Sequence, residues 1–409
     1  MEEESYEFMK ILSIDDARKF ADDKVVVIIT GVTGQDGSFM ADYLLRNPHP
    51  LETCPFEVFG GARRLSVSNH ENVAHLAHNP RFHLINFDLT DAHSIAQTIS
   101  QLHPNYFINF AAQSFVKSSW DFPAQTWDTN TMSIIHILEA IRLHCPDCRF
   151  YNAGSSEEFG DVLYMPQDEK HPMRPRSPYG ASKAAARQLV KVYRESYGLY
   201  AIQGWLFNHE GTRRGEEFVT RKITKAVAEI AKTIENMQIK DTQQGGTTLK
   251  IIPLELGNLE ARRDWTDAED CVDAVWRMLN QDRWNRLWLP TNPSTIKWTS
   301  DRKTLSQYIA EYVVSSGENH SVREFVEEAF KAANIQGHWE GEKENEKFIW
   351  DTLSWPDDVL VQINPAFYRP AEVDKLLGDP SKIKDELGWG PTTTFKQLVE
   401  KMVKKDFGQ

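Results

Sequence analysis

The sequence predicts an α/β protein built on a doubly wound parallel sheet, with a smaller C-terminal domain. Three observations predict it. An apolar, β-branched run, KVVVIIT at 24–30, leads straight into the glycine-rich TGVTGQDG and then into a helical pattern. Further short apolar runs follow, separated by helix-like stretches. Polar residues gather at the carboxyl ends of these runs, where open parallel sheets bind their ligands.

Residues 1–23 read as a polar appendage with one short helix. Their first ten, MEEESYEFMK, are acidic and unlike a signal or transit peptide. The run at 24–30 has the pattern of a strand buried on both faces. The helical pattern SFMADYLLRN follows the glycine turn. FEVFGGARR (56–64) is the second expected strand and RFHLINFDLTD (81–91) the third, with Thr90 or Asp91 capping the next helix. YFINFAAQS (106–114), RFYNAGSS (149–156) and LYAIQGWLFN (199–208) complete six strands. The longest helical stretch is 177–198. After about residue 206 the alternation ends, so 24–205 is expected as the sheet domain and 206–409 mainly as the second domain. The stretch 261–280 is expected to pack back on the first domain. Residues 283–308 form a polar, Trp-containing interruption, expected as a surface loop or small subdomain.

Bulk properties narrow the function. A hydrophobic content of 41% and a charged content of 26% are those of a soluble globular protein. The net charge of −13 argues against nucleic acid as a partner, because phosphate binding needs a basic surface. No run of about 18 apolar residues exists to span a bilayer, so no membrane partner is expected and the cytoplasm is the expected compartment. Four cysteines make no disulfide framework. CPDC at 145–148 has redox spacing, but no thioredoxin context and no second cysteine pair for zinc; it reads as ordinary thiols in a loop.

Gly31, Gly34 and Gly37 form GxxGxxG between strand and helix. Glycines there permit a tight turn and let a pyrophosphate approach the backbone at a helix N-terminus. The loop residues Thr33, Gln35 and Asp36 join the expected cofactor set. The second strand ends in Arg63 and Arg64, whose guanidinium groups suit the 2′-phosphate of NADP, although a solvated surface pair would look the same. Asp88 and Leu89 end the third strand. Asp88 could accept from an adenine amino group or simply cap a turn. Tyr179 and Lys183 form YxxxK, an i, i+4 pair on one helix face. A nearby ammonium is expected to lower the phenol's pKa from its usual value near 10 and make it a base.

Together with Ser155, these motifs resemble the extended short-chain dehydrogenase/reductases, which have a Rossmann sheet. The similarity is closer still to the GDP-mannose 4,6-dehydratases. ITGVTGQDGS, AQSFVKSS, SSEEFG, RSPYGASK, LFNHEGTRRGEEFVTRKI, LGNLEARRDW, GENHSVREFVE, WEGEKENE and YRPAEVDKLLGD run in that family's order from residue 29 to about 379. The resemblance implies NADP as cofactor and a GDP-sugar as substrate. It implies that Ser155 bonds the sugar O4 beside Tyr179, that Glu157 is the acid/base of a dehydration, and that Lys183 supports the tyrosine. Phe110, Ala111, Ala112, Gln113, Ser114, His209 and Arg214 join the cofactor side. Ser114, Lys117, Asn208, Lys222, Arg263, Arg369 and Glu372 are expected on the substrate side.

Some residues depart from the family pattern. Glu158 stands where an apolar residue is usual and is read as a surface or structural charge. Phe115, Gln125, Gly211–Thr212 and Thr266–Asp267 replace residues near the sugar or nicotinamide, which leaves the particular GDP-sugar open. A dehydratase of another GDP-sugar such as a GDP-heptose, an epimerase or reductase without the elimination, and an NADP-binding sensor or scaffold are the alternatives. Glu157 argues against the last. The resemblance also implies a homo-oligomer, a tetramer or a dimer. The loop RRLSVSN (63–69) and the Tyr179 helix are the expected contacts.

Overall fold

Strand β2 (Val25–Thr30) is apolar at every position but its last, and its side chains alternate between two cores. Val27 and Ile29 face one and Val26 and Ile28 the other. In the computed structural model, which describes residues 11–21, 24–46, 56–63, 69–244, 250–281, 308–352, 358–368 and 376–408, this strand lies inside an eight-stranded sheet. The other strands are β1 (Ile11–Leu12), β3 (Phe56–Ala62), β4 (Phe82–Asn86), β5 (Tyr106–Asn109), β6 (Arg149–Ala153), β7 (Ala201–Leu206) and a late strand (Val313–Val314). The order is β1-β4-β3-β2-β5-β6-β7 and then the late strand, with parallel pairings throughout. The chain winds outward from β2 through β3 and β4, then returns to β5. The switch point therefore falls between β2 and β5.

One face is covered by α2 (Gln35–Arg46) and the distant helix Ala268–Leu279, so the stretch 261–280 does pack against the sheet. The other is covered by α3 (Ala92–Leu102), α6 (Ser133–His144) and α7 (Pro178–Tyr197). Between β5 and α6 the chain forms two short helices, α4 (Ser118–Asp121) and α5 (Pro123–Trp127), and one π-turn (Asp128–Met132). Asp91, not Thr90, caps α3, accepting from the amides of His93 and Ser94.

Two expectations need correction. The N-terminal segment is more than an appendage. Ile11 and Leu12 pair in parallel with Leu84 and Ile85, and α1 (Ile14–Arg18) follows, capped by Ser13. Phe20 then stacks on His83 at 4.2 Å. At the other edge, the sheet continues after residue 206, because Val313 and Val314 pair with Trp205 and Leu206.

The remaining chain builds a separate core. Helix α8 (Val219–Gln244), the helices Val322–Ala332 and Phe395–Asp406, and a four-stranded sheet bury Ile223, Leu254, Trp265, Phe325, Phe330, Leu360 and Met402 together. The strands of that sheet are Leu254–Leu256, Gly337–Glu340, Lys347–Trp350 and Val359–Ile363. Of the interruption at 283–308, only Tyr308 lies among the described residues. Cys145 and Cys148 are buried thiols in the turn before β6, with no disulfide.

Candidate active site

The switch point brings two loops into contact. Gly31 has a left-handed φ of +66°, and a side chain there would come within 2.8 Å of the Ala111 amide. A side chain on Gly37 would strike the Gly31 carbonyl. The loop after β2 and the loop after β5 can thus close on each other only as they are. They leave the α2 N-terminus and bare backbone at the crevice, which suits a pyrophosphate. Asn72 donates to the Thr33 carbonyl at 2.9 Å and ties this loop to the next. The Gln35 side-chain amide donates to Asp36 and to the His209 carbonyl, while its side-chain oxygen, Oε1, is buried without a hydrogen-bond partner.

Asp36 meets His209 at 2.9 Å. The other His209 ring nitrogen faces the Phe207 carbonyl at 2.8 Å. Both neighbours are acceptors, which favours an imidazole that donates from both ring nitrogens. Burial opposes the charge on each group, but their mutual attraction wins: His209 is raised and Asp36 lowered from their ordinary pKa values. Arg63 stands exposed just past the end of β3. One Asp88 oxygen accepts from the Thr90 amide and hydroxyl, a turn-closing role, and Leu89 is buried.

The catalytic candidates converge beyond β6. Ser155 is in extended backbone and its hydroxyl accepts from the Glu157 amide at 3.2 Å. Helix α7 begins at Pro178, where the missing N–H costs nothing, and Ser177 caps it. Tyr179 therefore sits in the first turn and Lys183 one turn on. Gly180 packs on the Glu157 carbonyl, where a Cβ would come within 2.6 Å. That seating brings the Tyr179 phenol into a hydrogen bond with the Ser155 side chain. The Lys183 ammonium donates to the Ala153 carbonyl at 2.7 Å and lies 5.9 Å from the Tyr179 ring centroid.

The electrostatics differ from the sequence expectation. Tyr179 is raised, not lowered, because burial penalises the phenolate and Glu157 and Glu158 add to that. The Ser155 hydrogen bond and Arg214 act the other way. Lys183 is brought down to about 8 by burial, against the opposing pull of Glu158 and Asp36. Glu158 is no surface charge. It is fully buried, closes a capping box on the Ser155 amide at 2.9 Å, and pairs with Arg187.

The outer residues are less unified. Phe110, Ala111 and Ala112 are half-buried along the β5 edge, and Ser114 and Lys117 are exposed beyond it. Gln113 is locked to Asn130, which exchanges hydrogen bonds with the Gln113 amide and carbonyl and also donates to Ser182 on α7. Asn130 was not legible in the sequence. It lies in the π-turn with no motif around it, and its partners are distant in the chain.

Asn208 opens a short strand (Asn208–Glu210) paired with Trp265–Asp267. Arg214 pairs with Glu210 at 2.9 Å and lies 3.5 Å from the Phe218 ring centroid. Lys222 donates to the Glu255 carbonyl, and Arg263 is buried and donates to the Arg262 carbonyl. Arg64, Arg369 and Glu372 lie outside the described residues. Among the departures, Phe115 packs edge-on to Phe218 at 6.1 Å and Gln125 is exposed. The Thr212 carbonyl accepts from Arg221. Thr266 is buried, and Asp267 caps the helix Ala268–Leu279 while pairing with Lys401 at 2.8 Å.

A hydroxyl, a phenol and an ammonium aligned on the sheet edge that also carries a tight glycine turn is the arrangement of the short-chain dehydrogenase/reductases, and the second core makes this an extended one. A family model for GDP-mannose 4,6 dehydratase matches residues 28–296 and 300–402. The GDP-mannose 4,6 dehydratase of Drosophila melanogaster is 40% identical over 93% of this chain and 86% of its own length. That of Homo sapiens is 37% identical over 93% and 91%, and that of Vibrio cholerae serotype O1 37% identical over 94% of each. The chain belongs to the GDP-mannose 4,6-dehydratase family. Solved structures share the fold at low identity. RMD from Pseudomonas aeruginosa, complexed with NADPH, has a TM-score of 0.64 at 20% identity over 94% of this chain and 99% of that one. A dTDP-glucose 4,6-dehydratase from Bacillus anthracis, in complex with NAD, has 0.64 at 19% over 93% and 96%. No helix among the described residues is long and apolar enough to cross a membrane.

Proposed function

We propose that this protein is an NADP-dependent GDP-mannose 4,6-dehydratase of the cytoplasm, forming GDP-4-keto-6-deoxymannose with loss of water. The observation that carries the reading is Glu157 beside the Ser155–Tyr179 pair, in a chain whose curated relatives bear that name. A plain oxidoreductase needs the hydroxyl, phenol and ammonium; the added carboxylate is what an elimination requires.

The cofactor loops fit the proposed dinucleotide. Gly31 and Gly37 leave backbone open to a pyrophosphate, and Arg63 ends β3 where a 2′-phosphate would be read. NADP, when bound, supplies the hydride acceptor for the sugar C4 and the hydride donor for C6. Ser155 and Tyr179 hold the sugar O4, and Tyr179, once ionised beside the charged Lys183, takes its proton. The ketone so formed acidifies C5. Glu157 removes the C5 proton and delivers it to the departing C6 hydroxyl, which leaves as water. C5 is reprotonated as C6 receives the hydride, so that the proton first taken from O4 is matched by the one returned to C5. Lys183 steadies the phenolate through its charge. Division of the chain near residue 206, with the guanine end of the substrate over the second core, belongs to the same reading. Phe115, which packs edge-on to Phe218 where the family usually has a histidine, favours a second reading as dehydratase of another GDP-hexose or a GDP-heptose.

The test is Glu157→Gln. C4 oxidation should persist, seen as nicotinamide reduction in a single turnover, while dehydration falls roughly 100-fold or more, the usual worth of a general acid/base. Unimpaired dehydration would remove Glu157 from the mechanism.

A further inference from the structure

Beneath the Ser155 turn lies a buried set of charges that the proposed chemistry does not use. We propose that Glu158 is a positioning residue for this site: its carboxylate, held by Arg187, fixes the Ser155 turn against the Tyr179–Lys183 helix and supplies the buried negative charge that the Lys183 ammonium faces.

The geometry is specific. Glu158 accepts from the Ser155 amide at 2.9 Å and from Gln203 at 3.0 Å, and pairs with Arg187. Gln203 also donates to the Lys183 carbonyl at 3.0 Å, so one amide bridges the carboxylate and the helix. Arg187 lies one turn beyond Lys183 on α7. It donates to the Gln203 and Gly204 carbonyls of β7 and to Glu311 at 2.9 Å. Glu311 pairs in turn with Arg194 at 2.8 Å. The ion pair fills the space beside Gly154: a Cβ there would come within 2.7 Å of Glu158 and 2.8 Å of Arg187. The clamp thus joins the turn that carries Ser155, the helix that carries Tyr179 and Lys183, and the strand beneath both.

A purely structural brace would need only shape, whereas this one also sets charge. Two carboxylates and two guanidinium groups balance in the cluster, so neutralising Glu158 leaves excess positive charge below the site. Lys183 and Tyr179 are faced by Glu157 and Glu158 of the turn, Asp36 of α2 and Arg214 beyond β7. Tyr151 of β6 and Cys271 of the helix Ala268–Leu279 are buried near the same charges, and burial keeps both neutral. Removing the Glu158 charge should ease proton loss from both Lys183 and Tyr179, moving both titrations to lower pH.

The kinetic part of the test rests on the dehydratase reading; the spectroscopic part does not. Glu158→Gln keeps the side-chain shape and removes the charge. With lysines labelled at the ε-carbon, NMR titration should move the Lys183 midpoint down by about one pH unit, the scale of a lost opposite charge nearby. Lys183→Arg assigns that signal. The alkaline limb of the kcat profile should move the same way, and kcat should fall about tenfold while KM changes by less than about twofold, the pattern of a group that acts on the transition state and not on binding. If Glu158→Gln fails to fold, the double variant Glu158→Met with Arg187→Met removes the pair without orphaning a charge; the clamp is then lost while Glu311 and Arg194 still balance, so kcat should fall about tenfold and the Lys183 midpoint should hold. An unchanged Lys183 midpoint in Glu158→Gln, or wild-type kcat in the double variant, overturns the proposal. If wild-type protein shows no turnover of any GDP-sugar, the functional reading fails, while the titration still decides the clamp.

Discussion

Tyr179 holds its proton in the protein alone because burial outweighs the Ser155 hydrogen bond, and two carboxylates reinforce it. Lys183 is the opposite case, a buried ammonium close to losing its proton at about 8. The sign follows from the direction. A lysine whose folded pKa lies below its ordinary 10.5 is charged below about 8 and neutral above it. Turnover should therefore decline as pH rises through about 8, if Lys183 must be charged to steady the phenolate. Stability should move the other way. Between about 8 and 10.5 the unfolded chain binds the proton that the folded one has released, so the Lys183 contribution to stability rises with pH. A pH–rate profile beside a pH series of thermal melts checks both; a rate that climbs steadily past pH 9 contradicts the assignment. Ser155, Tyr179 and Lys183 were legible because their chemistry is written at fixed short spacings. Asn130 and the Glu158–Arg187 pair were not, since each is defined by partners on other strands and helices. The direction of the Tyr179 shift is hidden for a related reason: sequence reveals the neighbouring ammonium but not the depth of burial.

The elements repeat this contrast. Strands β2 to β7 could be read because parallel strands buried on both faces are continuous apolar runs. Their expected ends ran long where polar loop residues continue the chain past the last ladder bond, as at Ala112–Ser114 after β5. The strands Ile11–Leu12 and Val313–Val314 could not be read, because two residues carry no periodicity and only a partner strand makes them β. Helix starts were better marked. Asp91 accepts from two amides at the α3 N-terminus, so Asp91→Ala should cost about 1 kcal/mol, the usual worth of such a cap. Denaturant unfolding checks this: a drop in midpoint at unchanged slope is expected. A variant as stable as the parent would mean that His93 and Ser94 are satisfied by water.

At the scale of the molecule, a sheet with two covered faces carries the reaction edge, and a separate core begins with α8. The family resemblance was legible along most of the chain because its motifs follow one another in order, whereas Arg64, Arg369 and Glu372 fall outside the described residues. The surface also bears on assembly. Trp120 on α4, Phe122 between α4 and α5, Trp127 on α5, and Val192 and Tyr197 on α7 are exposed apolar side chains. We propose a homo-oligomer built from symmetric dimers, with the loop at 63–69, whose residues 64–68 lie outside the described residues, as the expected second contact. Light scattering during size exclusion should give a mass of at least twice the 47.0 kDa chain, and a monomer would refute it. The central claim is the elimination itself. Incubation of the purified protein and NADP with GDP-mannose, followed by mass spectrometry, tests it most directly. The account predicts a 4-keto product lighter than GDP-mannose by one water, with no net consumption of NADP. Unchanged GDP-mannose, alongside turnover of a different GDP-sugar or of none, would contradict it.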